Sequence, residues 1–176
     1  MIKDIYLLVG GEATRLRPLS EGIPKALLTI KGRLLIDLIL ENLEESNLDN
    51  INLICSIKHE SYWTDYKKNS KYKVNLHFEH EKLDTGGYVV KNIEHFDDKF
   101  LCMNGDLLID MNFESFLEVA NSSKNSTICS IPVEDPSRYG VLELEGTKII
   151  NFIEKPKDMK YGNNISLGVY CFHKKD

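Results

Sequence analysis

The sequence predicts an α/β fold, a three-layer arrangement in which helices cover a mostly parallel twisted sheet with one β-hairpin added to it. Three observations predict it. Apolar runs of strand length alternate with amphipathic runs of helix length along the chain. The first run, Ile2, Ile5, Tyr6, Leu7, Leu8 and Val9, has the density expected of a parallel strand covered on both faces. No repeat, low-complexity tract or linker breaks the alternation, so the 176 residues read as a single domain with room for a core.

Each element carries its own signature. Between residues 33 and 46, Leu34, Leu35, Leu38, Ile39 and Leu43 recur at three- and four-residue spacing, while Asp37, Glu41, Glu44 and Glu45 take the other side. That spacing predicts a helix packed on the sheet. Strands are expected at residues 51–56, 74–79, 100–104, 126–133 and 165–172, and helices near 60–67, 87–95 and 113–120. Asp110 and Asn112 are the capping candidates for the last of these helices. Residues 142–153, centred on Glu145-Gly146, predict the hairpin.

Composition excludes several function classes. A chain that is 42% hydrophobic and 28% charged is ordinary globular material, and a net charge of −5 leaves no basic stripe to neutralise a nucleic-acid backbone. The cluster Lys67-Lys68-Asn69-Ser70-Lys71-Tyr72-Lys73 reads as a solvated loop. Cys55, Cys102, Cys129 and Cys171 sit in separate apolar runs with no Cys-x-x-Cys pair, as small core residues of a reducing compartment would. Lys3 and Asp4 interrupt the first apolar run, and no stretch approaches membrane-spanning length, so a cytoplasmic chain with no membrane partner is expected. His77 and His80 fall on opposite faces of a continuing strand, which argues against zinc. The sequence leaves a homo-oligomer open.

The segment from Val9 to Ile30 carries the chemistry. Gly10 and Gly11 follow the first strand, at the end where open α/β sheets bind ligands, and paired glycines let backbone N–H groups approach phosphate oxygens. Arg15 can fork onto phosphate oxygens, and Lys25, after Pro24 in a stiffened extended segment, can bring a point charge to a reacting group. The next glycine after Gly11 is Gly22, so neither the P-loop nor the Gly-x-Gly-x-x-Gly fingerprint is present. Farther on, Phe100 to Asn104 ends in Gly105-Asp106, which places a carboxylate at a strand's carboxyl end, where Mg²⁺ shared with substrate phosphates is commonly held. Leu83-Asp84-Thr85-Gly86-Gly87 opens a helix and offers Thr85 as an N-cap.

The whole string Gly10-Gly11-Glu12-Ala13-Thr14-Arg15-Leu16-Arg17-Pro18-Leu19, with Pro24-Lys25, resembles the opening signature of the sugar-1-phosphate nucleotidyltransferases, and the resemblance extends in order along the chain. It implies a Rossmann-like, GT-A-like fold and transfer of a nucleotidyl group from a nucleoside triphosphate to a sugar 1-phosphate, with Mg²⁺ as cofactor. A GTP donor with a mannose- or heptose-type acceptor is the first expectation. By the resemblance, Gly10, Gly11, Glu12, Ala13, Thr14, Arg15, Asp84, Thr85 and Gly86 line the nucleotide, and Arg15, Lys25 and Asp106 are catalytic. Asp106, in the matching Asn104-Gly105-Asp106 motif, is the metal ligand. Gly140, Glu154, Lys155, Asn164 and Gly168 hold the sugar phosphate, and Gly168 lets the sugar approach the backbone.

Two positions depart from the family pattern: Ala13 and Asp84 stand where it usually has glycine. Family catalytic domains also usually continue past the strand near Phe172 and carry a second metal aspartate there. The resemblance leaves open whether this is a shortened chain, whether Asp110 takes that place, or whether the metal site is incomplete. These departures define the alternative reading, a catalytically impaired domain that binds nucleotide sugars in a regulatory role. Arg15, Lys25, Asp106, Glu154 and Lys155 are all retained, which favours the enzyme.

Overall fold

A computed structural model of the chain describes residues 1–12, 22–44, 46–81, 83–84, 86–158 and 160–176. Its frame is an eight-stranded mixed sheet. β1 (Asp4–Leu8) pairs in parallel with β4 (Asn50–Ser56) on one side and with β6 (Lys99–Asn104) on the other, and β4 pairs in parallel with β5 (Val74–Glu79). The remaining strands, β7 (Thr127–Pro132), β8 (Gly140–Glu145), β9 (Lys148–Glu154) and β10 (Asn164–His173), pair antiparallel. The resulting order is β5-β4-β1-β6-β10-β8-β9, with β7 also on β10.

Pleating explains the layers. Ile5, Leu7 and Val9 point to one face and join a core with α1 (Leu35–Leu43), α2 (Glu60–Asn69) and α4 (Phe113–Ser122). Tyr6 points the other way, into a smaller core with Val89 from α3 (Gly87–Lys91), Phe96 and Phe100. Its ring lies 4.3 Å from that of Phe96, and Phe96 and Phe100 are 4.5 Å apart. Trp63, fully buried on α2, anchors the larger core. Asn112 caps α4 by accepting a hydrogen bond from the Ser115 N–H at 2.9 Å.

Several expectations are corrected. Arg33 and Leu34 form β3 (Arg33–Leu34), paired with β2 (Thr29–Ile30), so the helix begins only at Leu35. Lys31 and Gly32, both at positive φ, make the two-residue turn that suits such a ribbon. The helix expected over 87–95 stops at Lys91, because Asn92 leaves helical geometry at φ −115° before a short 3₁₀ turn. The hairpin is longer than expected, running from Gly140 to Glu154 about a turn at Gly146. Cys129 is only half-buried, whereas Cys55, Cys102 and Cys171 are buried, and all are free thiols. His77 Nε2 lies 3.1 Å from Asn52 Oδ1, so that histidine is engaged within the sheet. No helix among the described residues is long and apolar enough to cross a membrane.

The chain lays down β1, β4 and β5 outward in one direction and then crosses back to place β6 on the far side of β1. Strand order therefore reverses between β1 and β6. The carboxyl ends of those two strands flank the crevice in which such sheets bind ligands.

Candidate active site

A cavity of about 330 Å³ occupies that crevice. It is lined by Gly10 and Gly11 after β1, Ile54 in β4, Glu79 at the end of β5, Asp84 and Gly86 before α3, Asn104, Gly105 and Asp106 at the end of β6, and by Lys25. Two glycines at its base have different causes. A Cβ on Gly105 would stand 2.3 Å from Val9 Cγ1 and 2.9 Å from the Leu8 carbonyl oxygen, so only glycine lets the two strand ends meet. A Cβ on Gly11 would meet nothing within 4 Å, which leaves its backbone open to the cavity.

Lys25 is fixed by its backbone. Its N–H donates to the Gly11 carbonyl at 3.2 Å, and Glu12 and Pro24 form an isolated antiparallel bridge, which holds Gly11-Glu12 against Pro24-Lys25. Lys25 opens a 3₁₀ turn (Lys25–Leu27) and is not in an extended segment. Pro24 supplies the entry, since its carbonyl accepts from the Leu27 N–H at 2.9 Å, and buried Ala26 pins the turn to the core. The Lys25 Nζ then reaches Asp106 Oδ2 at 2.5 Å. The residue expected to hold a reacting phosphate and the residue expected to hold a metal are thus ion-paired. Ala13, Thr14, Arg15 and Thr85 lie outside the described residues.

Asp84 adopts φ +56°, in the left-handed region. Glycine enters that region freely, and aspartate is among the few other residues that tolerate it. The glycine usual at this position in the family therefore has a backbone cause. Gly86, also left-handed at φ +84°, occupies the N-cap position of α3.

Glu79, which the sequence alone does not assign to the site, stands at the carboxyl end of the parallel strand β5. Burial raises the pKa of its carboxyl group above the ordinary value. Its Oε2 stands 3.0 Å from where a Cβ on Gly10 would be, so Glu79 and Gly10 lie against each other in the cavity wall. The described charges of the cavity wall are Glu79, Asp84 and Asp106 against Lys25.

The residues expected to hold a sugar phosphate form a separate group. Gly140, Glu154, Lys155, Asn164 and Gly168 are not part of the described cavity lining. Register nevertheless places them at the same end of the sheet. β10 pairs Val169 with Met103 near the carboxyl end of β6, so residues 164–168 extend past that end. Val141 pairs with Ile165, and Gly140 with Glu154. Lys155, at φ +47°, donates its N–H to the Tyr139 carbonyl at 2.9 Å, and its Nζ lies 2.8 Å from Glu154 Oε1. Gly168 has a structural cause of its own: at φ +68°, a Cβ there would stand 2.5 Å from Asn104 Nδ2.

The donor set suits Mg²⁺ of one kind. No group of three or more His, Cys, Asp or Glu side chains gathers among the described residues, so no all-protein cage is formed. Asp106 is a single carboxylate at the cavity wall, which fits an ion that brings phosphate and water oxygens with it.

Comparison with known proteins places these features in context. A family model described as nucleotidyl transferase matches residues 5–175. The chain is 36% identical over 177 residues to a mannose-1-phosphate guanyltransferase of Yarrowia lipolytica, covering 95% of this chain and 48% of that protein. It is 34% identical over 174 residues to the bifunctional protein GlmU of Methanocaldococcus jannaschii, covering 98% of this chain and 40% of that one. The chain therefore spans less than half the length of these relatives. The crystal structure of HddC from Yersinia pseudotuberculosis superposes with a TM-score of 0.81 at 29% identity, covering 99% of this chain and 78% of that one. HddC has also been solved in complex with GMP-PN, and that structure superposes with a TM-score of 0.78.

Proposed function

Because the chain belongs to the nucleotidyl transferase family, we propose that it transfers a nucleotidyl group from a nucleoside triphosphate to a sugar 1-phosphate, releasing pyrophosphate and leaving a nucleotide sugar. The observation that carries this reading is the crevice at the strand-order reversal, where an open glycine backbone, Lys25 and Asp106 meet. A sugar-phosphate oxygen attacks the α-phosphate in line, and no covalent intermediate with the protein is needed. The attacking phosphate is already an anion at neutral pH, so the task is to position two mutually repelling anions and neutralise developing charge. Gly10 and Gly11 offer backbone N–H groups to the triphosphate, and Lys25 neutralises the reacting phosphates. Mg²⁺, held by Asp106, would supply further charge neutralisation and orient the phosphate oxygens. Glu154 and the Gly140 backbone hold sugar hydroxyls, Lys155 holds the sugar's phosphate, and Asn164 and Gly168 shape that side.

Glu79 supports GTP as the donor. A half-buried carboxylate offers two acceptors, and guanine presents N1–H and N2–H side by side to such a pair. Adenine and cytosine set an acceptor beside their donor, and uracil flanks its one N–H with carbonyls. The guanyltransferase among the relatives and the GMP-PN complex of HddC are in keeping with this choice, and the name of the former with a mannose-type acceptor. The test is pyrophosphate release with Mg²⁺ across ATP, CTP, GTP, UTP and dTTP against mannose-, glucose-, N-acetylglucosamine- and heptose-1-phosphates. Turnover confined to GTP and abolished by Lys25→Ala is expected. Saturable nucleotide-sugar binding with a blank matrix would instead support a binding domain.

A further inference from the structure

We propose that the Lys25–Asp106 ion pair is a gate that admits a divalent metal to Asp106 only together with a polyphosphate. This rests on the reading of the cavity as a nucleotide site and adds an order of entry to it. The two side chains come from distant parts of the chain, one fixed through the Gly11 carbonyl and the Pro24 turn, the other by the end of β6. They meet at 2.5 Å while each remains about two-fifths exposed, at 38% and 41%. An exposed pair of this kind is weak in itself and opens readily when a better partner arrives.

A free metal ion gains little there. It must approach a carboxylate whose charge is already taken, with an ammonium group beside it that repels a dication. A phosphate oxygen arriving with the metal removes that obstacle, because it draws the ammonium group to itself and leaves the carboxylate to the metal. Both charges are then satisfied by one entering complex, and neither is left bare in the empty cavity. Glu79 and Asp84 add to the negative wall, yet among the described residues they do not gather with Asp106 into a three-residue ligand set. Asp106 is therefore the control point for metal entry.

The test reads metal binding and needs no turnover. Mn²⁺ is titrated against the whole protein by electron paramagnetic resonance, alone and with a GTP analogue carrying a methylene bridge between the α- and β-phosphates. Wild type is expected to bind Mn²⁺ weakly alone and at least about tenfold more tightly with the analogue. Lys25→Gln should tighten Mn²⁺ binding in the absence of nucleotide by about tenfold, and the double variant Lys25→Gln with Asp106→Asn should lose that gain. Lys91→Gln removes the same charge from the exposed pair with Glu81 and serves as the control, with no expected change. Equal Mn²⁺ affinity of wild type and Lys25→Gln without nucleotide would overturn the gate, as would an equal gain in the Lys91→Gln control. If the analogue fails to bind while the Lys25→Gln gain appears, the nucleotide reading fails and the charge competition stands.

Discussion

The two halves of the sheet hold their candidate site residues in different ways. In the parallel half, β5, β4, β1 and β6 end together, and the cavity between them is built from backbone: Gly105 against Val9, Gly10 beside Glu79, Lys25 hung from the Gly11 carbonyl. In the antiparallel half, Gly140 opens β8, Glu154 closes β9 at the sheet edge and Lys155 follows it, and the Glu154 and Lys155 side chains, both exposed, pair with each other. The close-packed half can stabilise charge at fixed points, whereas the open half can exchange contacts cheaply. The proposed function accordingly puts nucleotide chemistry in the first and acceptor recognition in the second.

Substitutions can break or sharpen this contrast. The largest effect is expected from Lys25→Ala, which should lower kcat for pyrophosphate release by about 10²–10³-fold through lost electrostatic stabilisation. Lys155→Ala should raise KM for the sugar phosphate by about fivefold and leave KM for the nucleotide unchanged; steady-state kinetics with each substrate varied in turn checks both. A matched pair of glycines probes rigidity. Gly105→Ala drives a methyl group into Val9 and the Leu8 carbonyl and should cost about 2–3 kcal/mol in urea unfolding. Gly140→Ala meets the Phe152 ring at 2.4 Å and Glu154 Oε2 at 3.2 Å, both on side chains free to move, the Phe152 ring being 46% exposed, so a loss below about 1 kcal/mol is expected.

Glu79 adds a pH signature. Its folded pKa is raised by burial, so its contribution to stability is fully present below the unfolded value of 4.5 and is lost as pH rises through the folded value. Glu79→Gln should therefore stabilise the protein at neutral pH relative to wild type, and the advantage should vanish in acid; thermal melts across pH measure it. Guanine-nucleotide affinity should follow the ionised form, falling on acidification at a higher pH than an ordinary carboxylate would give, and the fall should be absent in Glu79→Gln. The smallest effect belongs to Asp84→Gly, which relieves a left-handed aspartate and should change stability by less than about 1 kcal/mol.

The parallel half was the more legible in sequence, for a physical reason. Strands buried on both faces announce themselves as apolar runs, and the residues that follow them, Gly10, Gly11 and Asp106, fall at the crevice because of where strands end. Three features lay beyond such local reading. Lys25 and Asp106 stand 81 positions apart and pair only through tertiary structure. The β2–β3 ribbon was overridden by the helical spacing that begins with Leu34 and Leu35, since a two-residue strand has too little pattern to register. Glu79 has no local motif to mark it, and its significance depends on the neighbouring strand ends that bury it.

The division of labour is tested most directly by amide chemical-shift mapping of this 20.2 kDa chain, titrated separately with Mg-GTP and with mannose-1-phosphate. The account predicts that Mg-GTP moves Gly10, Gly11, Gly105 and Asp106, while the sugar phosphate moves Gly140, Glu154, Lys155 and Gly168. Sugar-phosphate shifts centred on Gly10 and Gly11, with Gly140 and Lys155 silent toward both ligands, would contradict it.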